Sequence, residues 1–381
     1  MTHIVSFEVD GLAGRRDSYR VDLDPDANIF FGKNGTGKTT LLKILYAALR
    51  NETRLIKDAP FESATVTFFS RDRDALRTRT FFRDASPSEE FQASFTDGST
   101  QLLAIKDDIE PVWQTSPRDN RSYRASFLSI SRVASAGSRS ARSLYELTSL
   151  RHDRHEEETA INEAFSNEIR ALWRQYSNSL LSEVTQVQQQ GIAEIMRSLF
   201  TTDRSRARPA LSTMEAFTRT NDFLHRQGVE SIGTLAQFRK RYEEDKRVRT
   251  IVDNIYGIER RIESAEDPRR RLEELLGSLI GGNKQITFSN NDIVVSGRNG
   301  ITIALGSLSS GEKQLIRILM ETILAGESPV IIDEPELSMH IDWQVDLLDN
   351  LKTVNPECQI IVATHSPEIM AEVHDDRIFR L

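Results

Sequence analysis

The segment Gly32-Lys33-Asn34-Gly35-Thr36-Gly37-Lys38-Thr39 fits the pattern G-x-x-x-x-G-K-[ST] without a mismatch. Its setting constrains the fold as much as its letters do. Asn28-Ile29-Phe30-Phe31, just before it, is a short apolar run that reads as a strand. Thr39 to Leu49, just after it, has apolar residues at Leu41, Leu42, Ile44, Leu45, Ala47 and Ala48, a helical spacing. A glycine-rich turn joining a strand to a helix start offers successive N–H groups to phosphate, with the helix dipole behind them. Gly32, Gly35 and Gly37 let the backbone come close, with Asn34, Thr36 and Thr40 completing the binding set. Lys38 supplies charge for the β- and γ-phosphates, and Thr39 a hydroxyl for Mg²⁺. A ligand-free glycine turn is the plain alternative, and the complete motif in its strand–loop–helix setting argues against it.

The far end of the chain holds matching parts. Val330-Ile331-Ile332 reads as a buried strand ending in two carboxylates, Asp333 and Glu334. Strand alternation sends neighbours in different directions, so Asp333 suits the Mg²⁺ shell and Glu334 suits polarising a water for attack on the γ-phosphate. Alone, the pair reads equally well as an acidic loop after a core strand. Leu308-Ser309-Ser310-Gly311-Glu312 opens a helix. Ser309, Ser310, Gly311 and Glu312 could bind phosphate there through helix-terminal hydrogen bonds. The ordinary reading is a serine N-cap at Ser309 with Glu312 closing a capping box. His365 follows the strand run Ile360 to Ala363. It is either a γ-phosphate contact or a structural histidine.

Three regions follow from the patterning. Residues 1–139 read as strand-rich, with a hairpin around Gly11-Leu12-Ala13-Gly14 and further strands through Ala64, Val66 and Phe68 and through Thr78, Phe81 and Phe82. Residues 140–282 change to helical periodicity. Apolar residues recur from Ile161 to Leu199 as one long amphipathic helix, weakened at Gly191. A second stripe runs from Leu235 to Ile262, and Pro268 is expected to start a third helix. A helix of ~40 residues spans ~60 Å, too long for a compact core. The region is therefore an inserted helical arm or hairpin, or else a lid. Without a strict heptad, a regular coiled coil is unsupported. Residues 283–381 return to strands at Ile286–Phe288, Ile293–Val295 and Ile301–Ile303, then alternate helix and strand, which implies a parallel sheet. The fold class expected is α/β, a mixed parallel core sheet plus an antiparallel β layer, with a long-helix insertion.

Composition narrows the partners. The net charge of −8 argues against a strongly basic nucleic-acid binder. Arg139, Arg142, Arg151 and Arg154, with Arg204, Arg206 and Arg208, form local basic clusters, but interspersed acids such as Glu156-Glu157-Glu158 fit a solvated helix face as well as DNA contact. A single cysteine, Cys358, cannot make an internal disulfide, which fits a reducing compartment. No segment approaches the ~18 apolar residues of a membrane span. A cytoplasmic protein without membrane contact is expected.

Taken together, Walker A at 32–39, a signature at 308–312, Walker B at 330–334 and a switch histidine at His365 resemble the ABC-type ATPase superfamily. The resemblance implies ATP and Mg²⁺ as ligands and hydrolysis of ATP to ADP and phosphate. It also implies head-to-head dimerisation or a higher homo-oligomer, in which the signature of one copy closes over ATP held by the other. Ser310 and Glu312 depart from the commonest signature. Asp333-Glu334-Pro335-Glu336-Leu337-Ser338-Met339-His340 with Thr364-His365-Ser366-Pro367 is similar to OLD-family, RecF-like and SMC-like heads. It is most similar to the OLD-like and AbiEii-like heads of bacterial antiviral defence, including Septu, retron and PARIS ATPases. OLD nucleases continue into a Toprim domain, for which little chain remains after His365. The resemblance therefore implies a separate effector, a nuclease or toxin. A RecF- or SMC-like DNA-repair role and a slow ATP-clamped scaffold are the alternatives, and DNA binding stays possible. A Q-loop glutamine is not evident: Ser131, Arg132, Gln101 and Gln114 are candidates. Phe7 or Tyr19 could stack on adenine, and Arg15 and Arg16 could reach phosphates.

Overall fold

The computed structural model describes residues 1–83, 92–94, 100–102, 112–129, 154–200, 211–226, 228–229, 232–282, 284–289 and 292–381. The chain forms two compact units. The first comprises Met1–Leu172, Leu275–Thr287 and Val294–Leu381; the second comprises Trp173–Glu274 and Phe288–Ile293.

In chain order the first part supplies β1 (His3–Asp10), β2 (Tyr19–Asp22), β3 (Ala27–Phe31), α1 (Lys38–Arg50), β4 (Ser63–Ser70) and β5 (Ala75–Phe82). Short strands β6 (Gln92–Ser94), β7 (Thr100–Leu102), β8 (Gln114–Ser116) and β9 (Ser126–Ser129) follow. The helices are α2 (Arg154–Phe200), α3 (Thr213–Arg226), α4 (Leu235–Glu244) and α5 (Lys246–Ile280). The last part adds β10 (Lys284–Phe288), β11 (Ile293–Gly297), β12 (Thr302–Ile303), α6 (Ser310–Ala325) and β13 (Val330–Asp333). It closes with α7 (Ile341–Val345), α8 (Leu347–Val354), β14 (Ile360–Thr364) and β15 (Ile378–Arg380).

Two sheets of the first unit hold α1 between them. One, in the order β15-β3-β14-β13-β9, is parallel at every pairing. The other, β2-β1-β4-β5-β8, is antiparallel. The residue patterns explain the split. Val330–Asp333 and Ile360–Thr364 are buried at every position, as strands covered on both faces must be. Ser63–Ser70 alternates half-buried and buried, as a strand with one packed face does. α1 fills the gap with Leu41, Leu42, Ile44, Leu45 and Leu49, all fully buried beside Phe7, Val66, Phe68, Phe30 and Ile361. Each such side chain contributes about 1.5–3 kcal/mol by leaving water. Phe7 is thus a core residue, 5.8 Å from the Phe30 ring and 5.9 Å from Tyr19.

The expected mixed α/β architecture with inserted long helices is what the chain forms, including the β1–β2 hairpin. Three local features go beyond the patterning. α5 runs unbroken through Pro268, so no third helix starts there. A proline removes one N–H from the ladder. Asp267, directly before it, accepts from Arg270 and Arg271. The helical segment between β13 and β14 is two short helices, α7 and α8, broken at Asp346. α2 runs unbroken through Gly191. This glycine lies where α2 meets α5, and a Cβ built there would sit 2.2 Å from Ile258 Cγ1. Ile258 is fully buried in a cluster with Phe223 and Ile255, flanked by Val187 and Ile195. Gly191→Ala is therefore expected to lower the stability of the helical unit by about 1–3 kcal/mol through overpacking. Hydrogen exchange of the α2 and α5 amides reads this directly. Unaltered protection in both helices would show that the contact tolerates a methyl group.

Candidate functional site

Strand register brings the sequence motifs to one edge. Asp333 pairs with Ala363 and with Ser129, and Thr364 pairs with Phe31. The carboxyl ends of β3, β14, β13 and β9 thus finish together, where open parallel sheets bind ligands. The segments leaving these ends are the phosphate loop, Glu334, His365 and the residues after Ser129. The Q-loop candidates Ser131 and Arg132 lie outside the described residues, as do Arg139, Arg142, Arg151, Arg204, Arg206 and Arg208. Of Gln101 and Arg154 only the backbone is described, and Gln114 lies on β8 in the other sheet. Arg15 and Arg16 are exposed.

The phosphate loop takes up the conformation its glycines allow. Gly35 and Gly37 have φ of 85° and 98°, a region that costs a side chain dearly. Gly37 also lies under the Leu12–Gly14 turn: a Cβ there would be 3.1 Å from Ala13 Cβ. Thr36 Oγ1 donates to Lys33 O at 2.9 Å. Asn34 and Gly35 are exposed, while Thr36 and Thr40 are half-buried. Lys38 is 4% exposed, and its Nζ donates to Gly32 O at 2.6 Å and Lys33 O at 3.0 Å. The ammonium is thus folded into the loop, and among the described residues no ion pair holds it.

Thr39 Oγ1 donates to Asp333 Oδ2 at 2.8 Å, so the two proposed magnesium ligands, 294 residues apart in sequence, are in contact. Asp333 Oδ1 is buried and accepts no hydrogen bond. Burial pushes the Asp333 carboxyl up to about 6, with Glu334 adding to the effect and the Thr39 hydroxyl, Lys38 and Lys43 opposing it. A dry carboxylate with an orphaned oxygen beside a hydroxyl fits a hard cation that keeps water and phosphate as its other ligands, which is the habit of Mg²⁺. Among the described residues no cluster of three or more His, Cys, Asp or Glu side chains could cage a metal by itself, in keeping with that habit. Glu334 is half-buried with φ of 55°, and its N–H donates to Ala363 O at 2.8 Å. A non-glycine residue held in the left-handed region is strained, a feature that clusters at functional sites.

The signature residues form the plain N-terminus that the sequence also allowed. Ser309 caps α6 and Glu312 closes the capping box. Glu312 is further held by Lys284 Nζ at 2.8 Å to both carboxylate oxygens. Burial pushes this carboxyl up, but Lys284 and the Ser309 hydrogen bonds outweigh it and keep it below the usual carboxylate range. Ser309 and Ser310 are exposed and Gly311 is buried. Gly311 has no room for a side chain, since a Cβ would be 2.5 Å from Ser338 O. Among the described residues no hydrogen bond or ion pair joins 309–312 to the phosphate loop.

His365 has a 43% exposed side chain, and its Nδ1 lies 2.8 Å from Glu336 Oε1. The same oxygen accepts the His365 backbone N–H at 2.8 Å. Glu336 carried no assignment from sequence, although it stands two positions beyond Glu334 in the same acidic turn. Cys358 is buried, its thiol pushed up to about 11 by burial, as an inert core residue is.

A strand–phosphate loop–helix unit with a hydrogen-bonded Thr–Asp pair at the end of a parallel sheet defines the P-loop class of nucleotide-binding proteins. The chain belongs to the AAA ATPase domain family, which matches residues 3–370. It is 29% identical over 123 residues to the Retron Vc95 probable ATPase of Vibrio cholerae serotype O1 biovar El Tor, covering 28% of this chain and 24% of that protein. It is 26% identical over 125 residues to the Retron Ec83 probable ATPase of Escherichia coli, covering 29% and 23%. Septu protein PtuA of Bacillus thuringiensis is 33% identical over 94 residues, covering 21% and 24%. The matched region thus spans about a quarter of the length of these relatives. Among solved structures, the Pyrococcus furiosus Smc head domain bound to the C-terminal domain of ScpA gives a TM-score of 0.42 at 13% identity, covering 97% of this chain and 92% of that one. The SMC head domain from Thermotoga maritima gives 0.40 at 10% identity, covering 97% and 91%. Among the described residues no helix is long and apolar enough to cross a membrane.

Proposed function

We propose that this protein is a Mg²⁺-dependent ATPase that closes head-to-head around ATP and, through that cycle, controls a separate effector in bacterial antiviral defence. The orphaned Asp333 Oδ1 beside the Thr39 hydroxyl, next to the buried Lys38, carries the reading. Thr39 and Asp333 would hold Mg²⁺, which supplies charge neutralisation between the β- and γ-phosphates when bound. Gly32, Asn34, Gly35, Thr36, Gly37 and Thr40 wrap the phosphates with N–H groups, and Lys38 leaves its carbonyl partners to pair with them. Glu334 orients the attacking water, and His365 contacts the γ-phosphate. Ser309, Ser310, Gly311 and Glu312 act on the nucleotide of a second copy. Among the described residues their side-chain hydrogen bonds stay among themselves and Lys284, which supports that assignment. Retron and Septu names among the relatives support the defence setting, and a nuclease or toxin on another chain is the partner that setting implies.

The test uses Glu334→Gln, which keeps the shape of the site and removes the water-polarising carboxylate. With MgATP, the variant should retain nucleotide and sediment as a dimer or larger assembly, while the wild type cycles back. Sedimentation indifferent to ATP would dismiss closure between copies. Wild-type turnover no faster than the variant's would instead make the site a nucleotide clamp.

A further inference from the structure

We infer that Glu336 is the positioning residue for His365, fixing which ring nitrogen faces the nucleotide. The inference rests on the proposed phosphate contact of His365. Glu336 Oε1 accepts the His365 backbone N–H at 2.8 Å and forms an ion pair with its Nδ1, also at 2.8 Å. The Glu336 side chain is 6% exposed while that of His365 is 43% exposed, so the carboxylate lies behind the ring and the ring's other edge faces outward. A carboxylate at this site only accepts, so Nδ1 must carry a proton. Nε2 is then the atom presented at the end of β14, and it has no protein partner among the described residues.

The turn that carries Glu336 is pinned from three sides. Gln314 of α6 donates to Pro335 O, Gln344 of α7 donates to Met339 O at 2.8 Å, and Met339 N–H donates to Glu336 O at 3.0 Å. Ser366, next to His365, donates to Gln344 Oε1 at 2.8 Å. The backbone that carries the carboxylate is therefore held by groups that also fix the start of α7. A phosphate oxygen also only accepts, so the ring must bear protons on both nitrogens when it touches the γ-phosphate. Glu336 then supplies the countercharge to that imidazolium from the dry side, and its second oxygen, Oε2, is buried with no hydrogen-bond partner. A carboxylate behind a working histidine sets both tautomer and orientation.

The test has two readouts on the full chain. In nucleotide-free protein, long-range ¹H–¹⁵N spectra report the tautomer of each of the seven histidines, with His365 assigned by its loss in His365→Ala. Wild type should show His365 protonated at Nδ1, and Glu336→Ala should shift it toward the Nε2–H form. In steady-state ATP turnover, Glu336→Ala should lower kcat about tenfold or more to the level of His365→Ala, with KM nearly unmoved. The double variant should fall no further, because two residues acting as one unit are not additive. Glu336→Gln, which keeps an acceptor for the ring and the backbone, should recover part of the loss and serves as the readout if the alanine variant does not fold. An unshifted His365 tautomer in both Glu336 variants, or additive losses in the double variant, would overturn the positioning role. Wild-type turnover by His365→Ala would remove the phosphate contact itself, and the tautomer spectra would still decide whether Glu336 orients the ring.

Discussion

Asp333→Asn is expected to cut Mg²⁺-dependent ATP turnover by about a thousandfold or more while leaving the unliganded protein at least as stable as the wild type. The loss follows from the chemistry of the pair. Asparagine still accepts from Thr39, but it cannot offer an anionic oxygen to the cation, and metal stabilisation of a phosphoryl transfer is worth several kcal/mol. The gain follows from burial. The carboxyl is 4% exposed and pushed up to about 6 by desolvation, so the folded chain favours the protonated acid more than the unfolded chain does. Stability tied to this group is therefore fully present below the unfolded value of 3.8 and is lost as pH rises through about 6. At neutral pH the ionised side chain costs the apoprotein roughly 1–3 kcal/mol. In EDTA, Asp333→Asn should melt at or above the wild-type temperature at pH 7.5, and the advantage should shrink below about pH 5. The nucleotide half is separate: MgATP should raise the wild-type melting temperature and leave the variant's unmoved. A variant that melts well below wild type at pH 7.5 would mean that Asp333 is a structural acceptor rather than a strained ligand.

The legible part of this site was the part whose spacing is local. Gly32 to Thr39 is one turn of chain, and Asp333 with Glu334 ends an unbroken apolar strand, so both stood out before any contact was known. That Thr39 and Asp333 touch needed only the parallel order of β3, β14 and β13. Ser309 to Glu312 had two readings from the start. The chain forms the capped helix end, and it occupies the glutamate of the signature with Lys284, a residue from a distant strand that no local pattern marks. Glu336 was visible in the letters but not in its task, because its partner His365 arrives from another strand. The helical insertion was readable from its 3.6-residue stripe, yet Pro268 misled: a proline reports what the backbone can do alone, while the packing of α5 decides what it does here. Arg79 was the least legible of all. It shares a strand face with Phe81, where the alternation calls for an apolar residue.

Arg79→Met is expected to destabilise the nucleotide-binding unit by about 3–5 kcal/mol, the range for breaking a buried charged network. Arg79 is fully buried, and among the described residues no carboxylate is bonded to it. Its Nη1 donates to Ala48 O and, at 3.0 Å, to Leu49 O; Nη2 donates to Arg121 O; Nε donates to Thr115 Oγ1 at 3.1 Å. Phe68 and Tyr123 lie 5.3 and 5.5 Å from the guanidinium. Burial lowers the guanidinium's proton affinity, and the neighbouring Tyr123 and Asp119 oppose that. The countercharge comes mainly from geometry. Ala48 and Leu49 belong to the last turn of α1, where carbonyls lack intrahelical donors and the dipole is negative. Arg79 thus anchors the far end of the helix whose first residues are Lys38 and Thr39. Methionine fills much of the space but takes the guanidinium donors from Ala48 O and Leu49 O, leaving Leu49 O with the Tyr123 N–H at 2.9 Å, whereas Arg79→Lys keeps the charge without the planar fork and should recover only part of the loss. Thermal unfolding followed by circular dichroism reads both variants. Saturating MgATP should restore part of the Arg79→Met melting temperature, because ligand binds only the folded site. A methionine variant that melts with the wild type would show that the α1 terminus does not depend on the guanidinium. A variant that melts low but gains nothing from MgATP would place the damage in the phosphate loop itself, transmitted along α1 from Leu49 to Lys38.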